Sequence, residues 1–198
     1  MNLSHLTEAE LKEALLLLEK QDGYAVQDKC QGSFLDYVNH MWPEFICGRH
    51  HQIFAEKLEQ VAKGEIKRLI VNMPPRHTKS EFASTYFPSW MMGQNPKMKI
   101  MQTTHTGELA VRFGRKVRNL MAQKEYKQVF PDVSLQADNK SAGRWETNKG
   151  GEYFAAGVGG AVTGRGADLL IIDDPHSEQD ALSPTALESA YEWYTSGP

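Results

Sequence analysis

Two pairs of adjacent residues carry side chains suited to phosphate chemistry. Lys79 and Ser80 follow an apolar run and a proline-rich loop, and they begin a helix-like segment. Asp173 and Asp174 follow a second apolar run. A lysine and a hydroxyl at a helix start bind phosphate oxygens and Mg²⁺, and carboxylates at a strand end bind the same ion or activate water. The two pairs together predict a nucleotide-binding site.

The loop before Lys79 departs from the usual phosphate-binding pattern. That pattern is G-x-x-x-x-G-K-[ST], and alignment on Lys79 places Met73 and Thr78 where the two glycines are expected. A solvated basic turn is therefore an alternative interpretation of this segment. The acidic pair further along the chain, separated from the loop by strand and helix patterns, favours the nucleotide site.

Each predicted site residue has a role that follows from phosphate chemistry. Backbone amides at the helix start, in residues 76–80, would surround the triphosphate of ATP, and Lys79 would hold its terminal oxygens. The Ser80 hydroxyl and the Asp173 carboxylate would bind Mg²⁺, which prefers hard oxygen ligands. Asp174 would orient or deprotonate the attacking water. The predicted phosphate-binding residues are Pro75, Arg76, His77, Thr78, Lys79 and Ser80.

Three further polar side chains are predicted to take part, and each has an ordinary alternative. Arg76 precedes Lys79 closely enough to neutralise charge on the transferred phosphoryl group, or it is a surface arginine. Arg165, in the glycine cluster 157–166, could act as an arginine finger on a neighbouring subunit, or it makes a structural or DNA contact. The Gln52 amide could hydrogen-bond the adenine edge, or it caps a helix.

Alternating strand and helix patterns along the chain would position these residues. Apolar runs predict three strands, over 68–72, 97–104 and 169–172. Amphipathic patterns predict three helices, over 50–63, 79–92 and 106–123. This alternation predicts an α/β fold with a parallel sheet flanked by helices, and the wholly apolar run 169–172 is typical of a strand buried on both faces. Ligands bind outside the carboxyl ends of such strands, so Lys79 and Asp173 are expected to face one crevice.

The remaining segments predict an arm and a partly antiparallel region. Capping-box spacing predicts a helix over 7–20, the glycine-containing stretch 21–32 predicts a linker, and a short amphipathic turn or helix is expected over 33–39. Residues 131–166 are rich in Gly, Asn and Ser, and they predict short antiparallel strands around a turn at 148–151.

Composition is that of an ordinary globular protein. The 198 residues are 40% hydrophobic and 24% charged, with a net charge of −3, so any DNA contact would depend on a local basic cluster. The two cysteines lack C-x-x-C spacing and predict neither a disulfide nor a zinc site. No run has the length of a membrane span, and a cytoplasmic protein is expected. The basic cluster consists of Arg112, Arg115, Lys116 and Arg118.

With these residues assembled, the chain resembles the N-terminal ATPase region of the terminase large subunit of tailed bacteriophages, over roughly residues 33–195. Glycine-poor phosphate loops with an early arginine are typical of that family. The departure from the generic pattern therefore agrees with the resemblance. The similar segments are Trp42-Pro43 with His50, His51 and Gln52, the loop 73–80, the helix from Arg112 to Arg118, and residues 162–175.

The resemblance implies a P-loop NTPase of the ASCE type that uses ATP and Mg²⁺ to drive double-stranded DNA into a procapsid. It implies a homo-oligomeric ring that works in the host cytoplasm, docks transiently on the portal protein of the procapsid and partners the small terminase subunit. It divides the chain into a helical arm and linker, 1–49, and a partial ATPase domain, 50–198. A coupling strand and a nuclease domain are expected in that family and have no counterpart here, so we expect a fragment with weak ATPase activity and no nuclease activity.

Two other functions agree with the same residues. The chain could be a catalytically silent module that binds ATP or a partner during assembly, or a helicase-like P-loop ATPase with no part in packaging. Steady-state phosphate release distinguishes the first alternative, and affinity for portal protein distinguishes the second.

Overall fold

Five strands form one sheet in the computed structural model, which describes residues 7–162 and 164–196. Residues 1–6 of the predicted arm, residue 163 of the glycine cluster and residues 197–198 of the predicted ATPase domain lie outside the described residues. The strands are β1 (Lys99–Thr104), β2 (Leu135–Lys140), β3 (Arg144–Thr147), β4 (Glu152–Gly157) and β5 (Leu169–Ile172). Their order in the sheet is β2-β3-β4-β1-β5.

The sheet is mixed, which corrects the prediction of a parallel sheet. β1 runs parallel to β4 and to β5, whereas β3 runs antiparallel to β2 and to β4. A short turn joins β3 to β4, and strands joined in this way pair in the antiparallel direction. The antiparallel strands predicted around 148–151 are confirmed, and the fold is α/β with helices flanking the sheet.

Helices pack on the sheet, and helices also precede the first strand and follow the last strand in the chain. On one face α6 (Gly107–Met121) packs along β4 and β1, and on the other Trp193 of α8 (Pro184–Ser196) packs against a small apolar cluster around Met101. No helix within residues 7–162 and 164–196 combines the length and the apolar character needed to cross a membrane. The helices are α1 (Glu8–Gly32), α2 (Phe34–Met41), α3 (Arg49–Ala62), α4 (Lys79–Glu81), α5 (Phe87–Gln94), α6 (Gly107–Met121), α7 (Lys124–Val129) and α8 (Pro184–Ser196), with a π-helical turn at Phe82–Tyr86 and a 3₁₀ turn at Asp180–Leu182.

The first helix begins where the sequence predicts and continues beyond its predicted end. Thr7 and Glu10 form the expected capping box, with the Thr7 amide 2.7 Å from the Glu10 carboxylate. The predicted linker 21–32 is wrong, because α1 continues through Gly23 to its end. One glycine costs a helix only about 1 kcal/mol, and the last turns are held by tertiary contacts: Cys30 is buried, and its carbonyl accepts a hydrogen bond from the indole of Trp90 at 2.9 Å.

The main core joins the first three helices to the helices that flank the sheet. Phe34 of α2 is fully buried and its ring lies 5.6 Å from the rings of Phe82, Phe87 and Trp90. Phe54 of α3 stacks on the same Phe82 ring at 5.9 Å. These contacts fix α3 against the segment that follows the loop 73–78.

The predicted strand 68–72 is an extended segment without strand pairing, which corrects that prediction. No backbone-to-backbone hydrogen bond joins residues 67–77 to another described residue. Ile70 is 87% exposed, while Leu69 and Val71 pack partly against the main core. An apolar run becomes a strand only when a neighbouring strand satisfies its backbone groups, and no strand of the described residues pairs with this run.

The strand β5 lies at an edge of the sheet, so the prediction that it is buried on both faces is wrong. Its partner is β1, and the described residues place no strand along its other edge. Ile171 is buried, but Ile172 is 39% exposed. The wholly apolar composition of β5 therefore does not correspond to complete burial.

The helical segment predicted over 79–92 is present, with one widened turn. The π-helical turn carries an amide-to-carbonyl bond from Phe87 back to Phe82. Pro88 follows directly, and a proline lacks an amide donor and crowds the carbonyl four residues earlier. The wider turn accommodates Pro88 and places Ser84 in the protein interior, where it is fully buried.

Gly157, at the end of β4, lies against the start of α6, and we expect Gly157→Ala to lower the free energy of unfolding by about 1–3 kcal/mol. A Cβ atom there would lie 2.6 Å from the backbone nitrogen of Gly107 and 3.0 Å from the carbonyl carbon of Thr106. Both contacts are backbone atoms, so α6 must move to admit the methyl group. Urea unfolding measures the change.

Gly166→Ala is the matched control for this substitution. A Cβ atom on Gly166 would meet no atom of the described residues within 4 Å, so the unfolding curve of this variant should overlay that of the native chain. Identical stability of the Gly157 and Gly166 variants would contradict the close approach of β4 and α6.

Candidate functional site

Lys79, Asp173 and Asp174 meet at the carboxyl end of β5. Lys79 begins α4, and the two aspartates follow β5 directly. The Lys79 ammonium lies 3.4 Å from the Asp173 carboxylate and hydrogen-bonds to the Asp174 carboxylate. The two segments that the sequence predicts to face one crevice are therefore in contact.

The charges of the two carboxylates keep Lys79 protonated. Partial burial acts to lower the pKa of Lys79, but the hydrogen bond to Asp174 and the charges of both aspartates outweigh it, so the pKa lies above its ordinary value. Lys79 therefore carries a positive charge at neutral pH, as the binding of phosphate requires.

Asp173 and Asp174 have different environments. Asp173 is 5% exposed, and its carboxylate accepts a hydrogen bond of 2.9 Å from the hydroxyl of Ser84. The Asp174 side chain is 63% exposed, and its backbone has a φ angle of 45°. Asp173 is thus fixed in position, whereas Asp174 has room to change partners.

Ser84 is a site residue that the sequence reasoning missed. It lies in the π-helical turn, and its hydroxyl orients the buried carboxylate of Asp173. The feature of the sequence that could have identified Ser84 is its position one helical turn after Ser80. Only the contact across the fold distinguishes Ser84 from an ordinary helical serine.

His105 is a second residue that the sequence reasoning did not assign to the site. It follows β1, and its amide donates to the Asp174 carbonyl at 3.2 Å. Its ring Nδ1 atom is buried and has no hydrogen-bond partner among the described residues. An open cleft of about 690 Å³ adjoins Asp174 and is lined by His105 and residues 174–179. The feature of the sequence that could have identified His105 is its position at the carboxyl end of a predicted strand.

The loop before Lys79 contains two residues in the left-handed backbone region. Arg76 has a φ angle of 62° and Thr78 one of 60°. Thr78 occupies the second glycine position of the generic pattern, and glycine adopts such angles without strain. Arg76 is exposed, so its side chain can turn towards a ligand bound beside Lys79.

The start of α3 packs against this loop. The His51 ring accepts a hydrogen bond at Nδ1 from the Gly48 amide at 2.9 Å, and its Nε2 atom lies 2.5 Å from the Thr78 hydroxyl. His51 therefore provides the helix cap that was considered for Gln52. Gln52 is exposed and makes no hydrogen bond through its side chain with a described residue, so its amide is available to a ligand.

Arg165 lies at the opposite end of the parallel strands. Its guanidinium is 4.1 Å from the centre of the Phe154 ring and 3.4 Å from the carboxylate of Glu152, the first residue of β4. Within one chain Arg165 therefore makes a structural contact and does not reach Lys79. Its predicted action on a neighbouring subunit stays a prediction.

The available oxygen atoms suit Mg²⁺ bound together with phosphate. Ser80 offers a hydroxyl and Asp173 a carboxylate, whereas the described residues contain no group of three or more His, Cys, Asp or Glu that could hold a metal ion. Mg²⁺ keeps water and phosphate ligands in nucleotide sites, so two protein oxygens are sufficient.

The fold and the site together define an α/β protein with a lysine and two carboxylates at the carboxyl end of its sheet. No protein-family model matches this chain, and no curated protein matches its sequence.

The free energy of unfolding is expected to decrease as the pH falls below about 6.5, the ordinary pKa of histidine. Burial, followed by the neighbouring rings of His50 and His77, lowers the pKa of His51 in the folded state. Below pH 6.5 the unfolded chain binds the proton more readily, so stability is complete above that pH and is lost progressively below it. Urea unfolding at several pH values measures the slope.

His51→Phe is the control, because it keeps a ring at the same place without the titrating nitrogens. The difference between the two slopes isolates the contribution of His51 from that of every other titrating group. Parallel slopes for the native chain and this variant would contradict the prediction.

Proposed function

We propose that this chain binds ATP and Mg²⁺ beside Lys79 and hydrolyses the ATP, as the ATPase region of a phage terminase large subunit that drives double-stranded DNA into a procapsid. The observation that carries the proposal is the contact of Lys79 with both Asp173 and Asp174. A lysine at a helix start and an acidic pair after a strand are the two halves of a nucleoside triphosphatase site. The resemblance described above supports the packaging role.

Binding of ATP requires Lys79 to exchange partners. In the free protein its ammonium is held by carboxylates, and phosphate oxygens would take their place. Asp174 is exposed and can release the ammonium, whereas Asp173 stays in place through its hydrogen bond to Ser84. This difference supports the assignment of Asp173 to the metal and of Asp174 to the attacking water.

The other residues of the loop would surround the phosphates. The amides of residues 79–81 begin a helix and have no carbonyl partner among the described residues, so they can donate to phosphate oxygens. Arg76 would turn towards the terminal phosphate and stabilise the charge that develops there. A bound Mg²⁺ ion would neutralise part of the phosphate charge, with Ser80 and Asp173 as its protein ligands.

The basic cluster on α6 supports DNA as a partner. Arg112 and Arg115 lie three positions apart on the helix, so both point to the same side, where Arg115 is exposed and Arg112 is half-buried. Lys116 forms an ion pair with Glu81, which directly follows Ser80. The helix that carries these arginines is therefore joined to the helix that carries the phosphate-binding residues.

Calorimetric titration with ATP, in Mg²⁺ and in EDTA, followed by an assay of phosphate release, tests the proposal. Magnesium-dependent binding with turnover is the expected result, and absence of binding would refute the assignment. Binding without phosphate release would indicate the catalytically silent module. Turnover without affinity for portal protein in a pull-down would favour the helicase-like ATPase.

A further inference from the structure

A threonine lies where the backbone of the loop favours glycine. Thr78 has a φ angle of 60°, in the left-handed region that side chains with a branched Cβ rarely adopt. A residue held in this region needs support from surrounding contacts. The support comes from outside the loop, at the start of α3.

A directional chain of hydrogen bonds joins α3 to Thr78. The Gly48 amide donates to His51 Nδ1 at 2.9 Å, so in the neutral ring the proton lies on Nε2. Nε2 then donates to the Thr78 hydroxyl at 2.5 Å, and that hydroxyl donates to the His77 carbonyl at 2.7 Å. Each ring nitrogen of His51 has one role, the Thr78 hydroxyl both accepts and donates, and the series of hydrogen bonds ends on the backbone of the loop itself.

Two aromatic rings hold the imidazole of His51 in the orientation that this chain needs. The rings of Phe45 and Phe82 lie 4.7 Å and 5.2 Å from it. His51 is 5% exposed, so water does not compete freely for its nitrogens. The orientation of the donor is therefore set by the core before any ligand binds.

We propose that His51 is a positioning residue, which holds Thr78 in the left-handed conformation and thereby gives a loop without glycines the shape that binds a triphosphate. The proposal rests on the proposed function for its consequence, but the contact itself exists in the free protein. It assigns His51 no contact with ATP. It also accounts for a threonine at the second glycine position, because the hydroxyl accepts the hydrogen bond that glycine cannot.

Limited digestion with trypsin tests the contact without any nucleotide. Trypsin cleaves after Arg76 when the loop opens, and cleavage after the exposed Lys149 serves as the internal control. The side chain of Asn is too short to reach Thr78. We therefore expect His51→Asn to raise the cleavage rate after Arg76 about tenfold, because the loss of one hydrogen bond increases the population of the open loop by about that factor. His51→Gln, which keeps a donor at the reach of Nε2, should restore the native rate.

Two results of the digestion would overturn the proposal. One is an unchanged rate after Arg76 in the His51→Asn chain. The other is an equal increase after Arg76 and Lys149, since that would indicate a general loss of stability and no specific support of the loop.

A double substitution tests the consequence for binding, with N-methylanthraniloyl-ATP and Mg²⁺ as the probe. We expect His51→Asn to weaken affinity about tenfold in the native chain and to leave it unchanged when Thr78→Gly is also present, because glycine needs no support. Equal losses in both backgrounds would overturn the proposal. If no chain binds the probe, the proposed function fails, and the digestion alone decides the role of His51.

Discussion

Lys79→Ala should lower the affinity for ATP by about a hundredfold or more. Hydrogen bonds to charged groups contribute about 1.5–3 kcal/mol each, and Lys79 is placed to hold more than one phosphate oxygen. A loss of about 3 kcal/mol corresponds to roughly a hundredfold in affinity. Calorimetric titration with ATP and Mg²⁺ measures the change, and thermal melting shows whether the variant is folded.

Lys116→Ala is the control for that experiment. It removes one positive charge from a lysine that also forms an ion pair, in this case with Glu81 on α4. Its ATP affinity should stay within a few fold of the native value, because surface ion pairs contribute about 1 kcal/mol or less. If the Lys79 variant binds ATP as the Lys116 variant does, the assignment of the phosphate site is wrong.

Asp174→Asn should lower the rate of phosphate release by about 10²–10⁴-fold, the usual contribution of a general base, and leave ATP bound. The substitution removes the carboxylate charge that competes with phosphate for Lys79. ATP affinity is therefore expected to be unchanged or to increase slightly. Release of phosphate under single-turnover conditions, together with the calorimetric affinity, separates the two effects.

Glu178→Gln is the matched control for the Asp174 substitution. Glu178 lines the same cleft and is exposed, so the change removes an equal charge without touching Lys79. Its rate of phosphate release should equal that of the native chain. Native turnover in the Asp174 variant would contradict its role towards the attacking water, while a parallel loss of ATP affinity would indicate a binding role instead.

The carboxylate of Asp173 is expected to stay in place when ATP binds, whereas that of Asp174 can change partners. It is nearly buried and is held by Ser84 as well as by Lys79, so it cannot move to a second position. The pair of aspartates is adjacent in sequence, and their distinct surroundings come from the end of β5, where the chain turns through the left-handed angle at Asp174.

The elements with strong local signals were predicted correctly. The capping box at the start of α1, the amphipathic pattern of α6 and the apolar run of β5 each depend on residues close in sequence. Hydrophobic periodicity and capping preferences act over a few residues, so they can be recognised without knowledge of the fold. The start of α4 and the end of β5, and with them the positions of Lys79 and Asp173, were predicted from the sequence.

The wrong predictions concern segments whose structure depends on distant partners. The run 68–72 has strand-like residues but no neighbouring strand among the described residues, and 21–32 has two glycines but is held as a helix by contacts of Cys30 with Trp90. Within one chain Arg165 contacts Glu152 and Phe154, which the sequence did not identify, and its action on a neighbouring subunit stays a prediction. Local composition did not identify these neighbours.

The sequence alone determined which residues have the chemistry for a phosphate site: Lys79 at a helix start, and Asp173 and Asp174 at a strand end. Only the tertiary structure decided how these groups meet, that Ser84 fixes one carboxylate, and that His51 supports the loop at Thr78. The physical reason is the separation along the chain between the residues that interact. Helix starts and apolar runs depend on neighbouring residues, whereas a hydrogen bond between distant segments exists only after the core has brought them together.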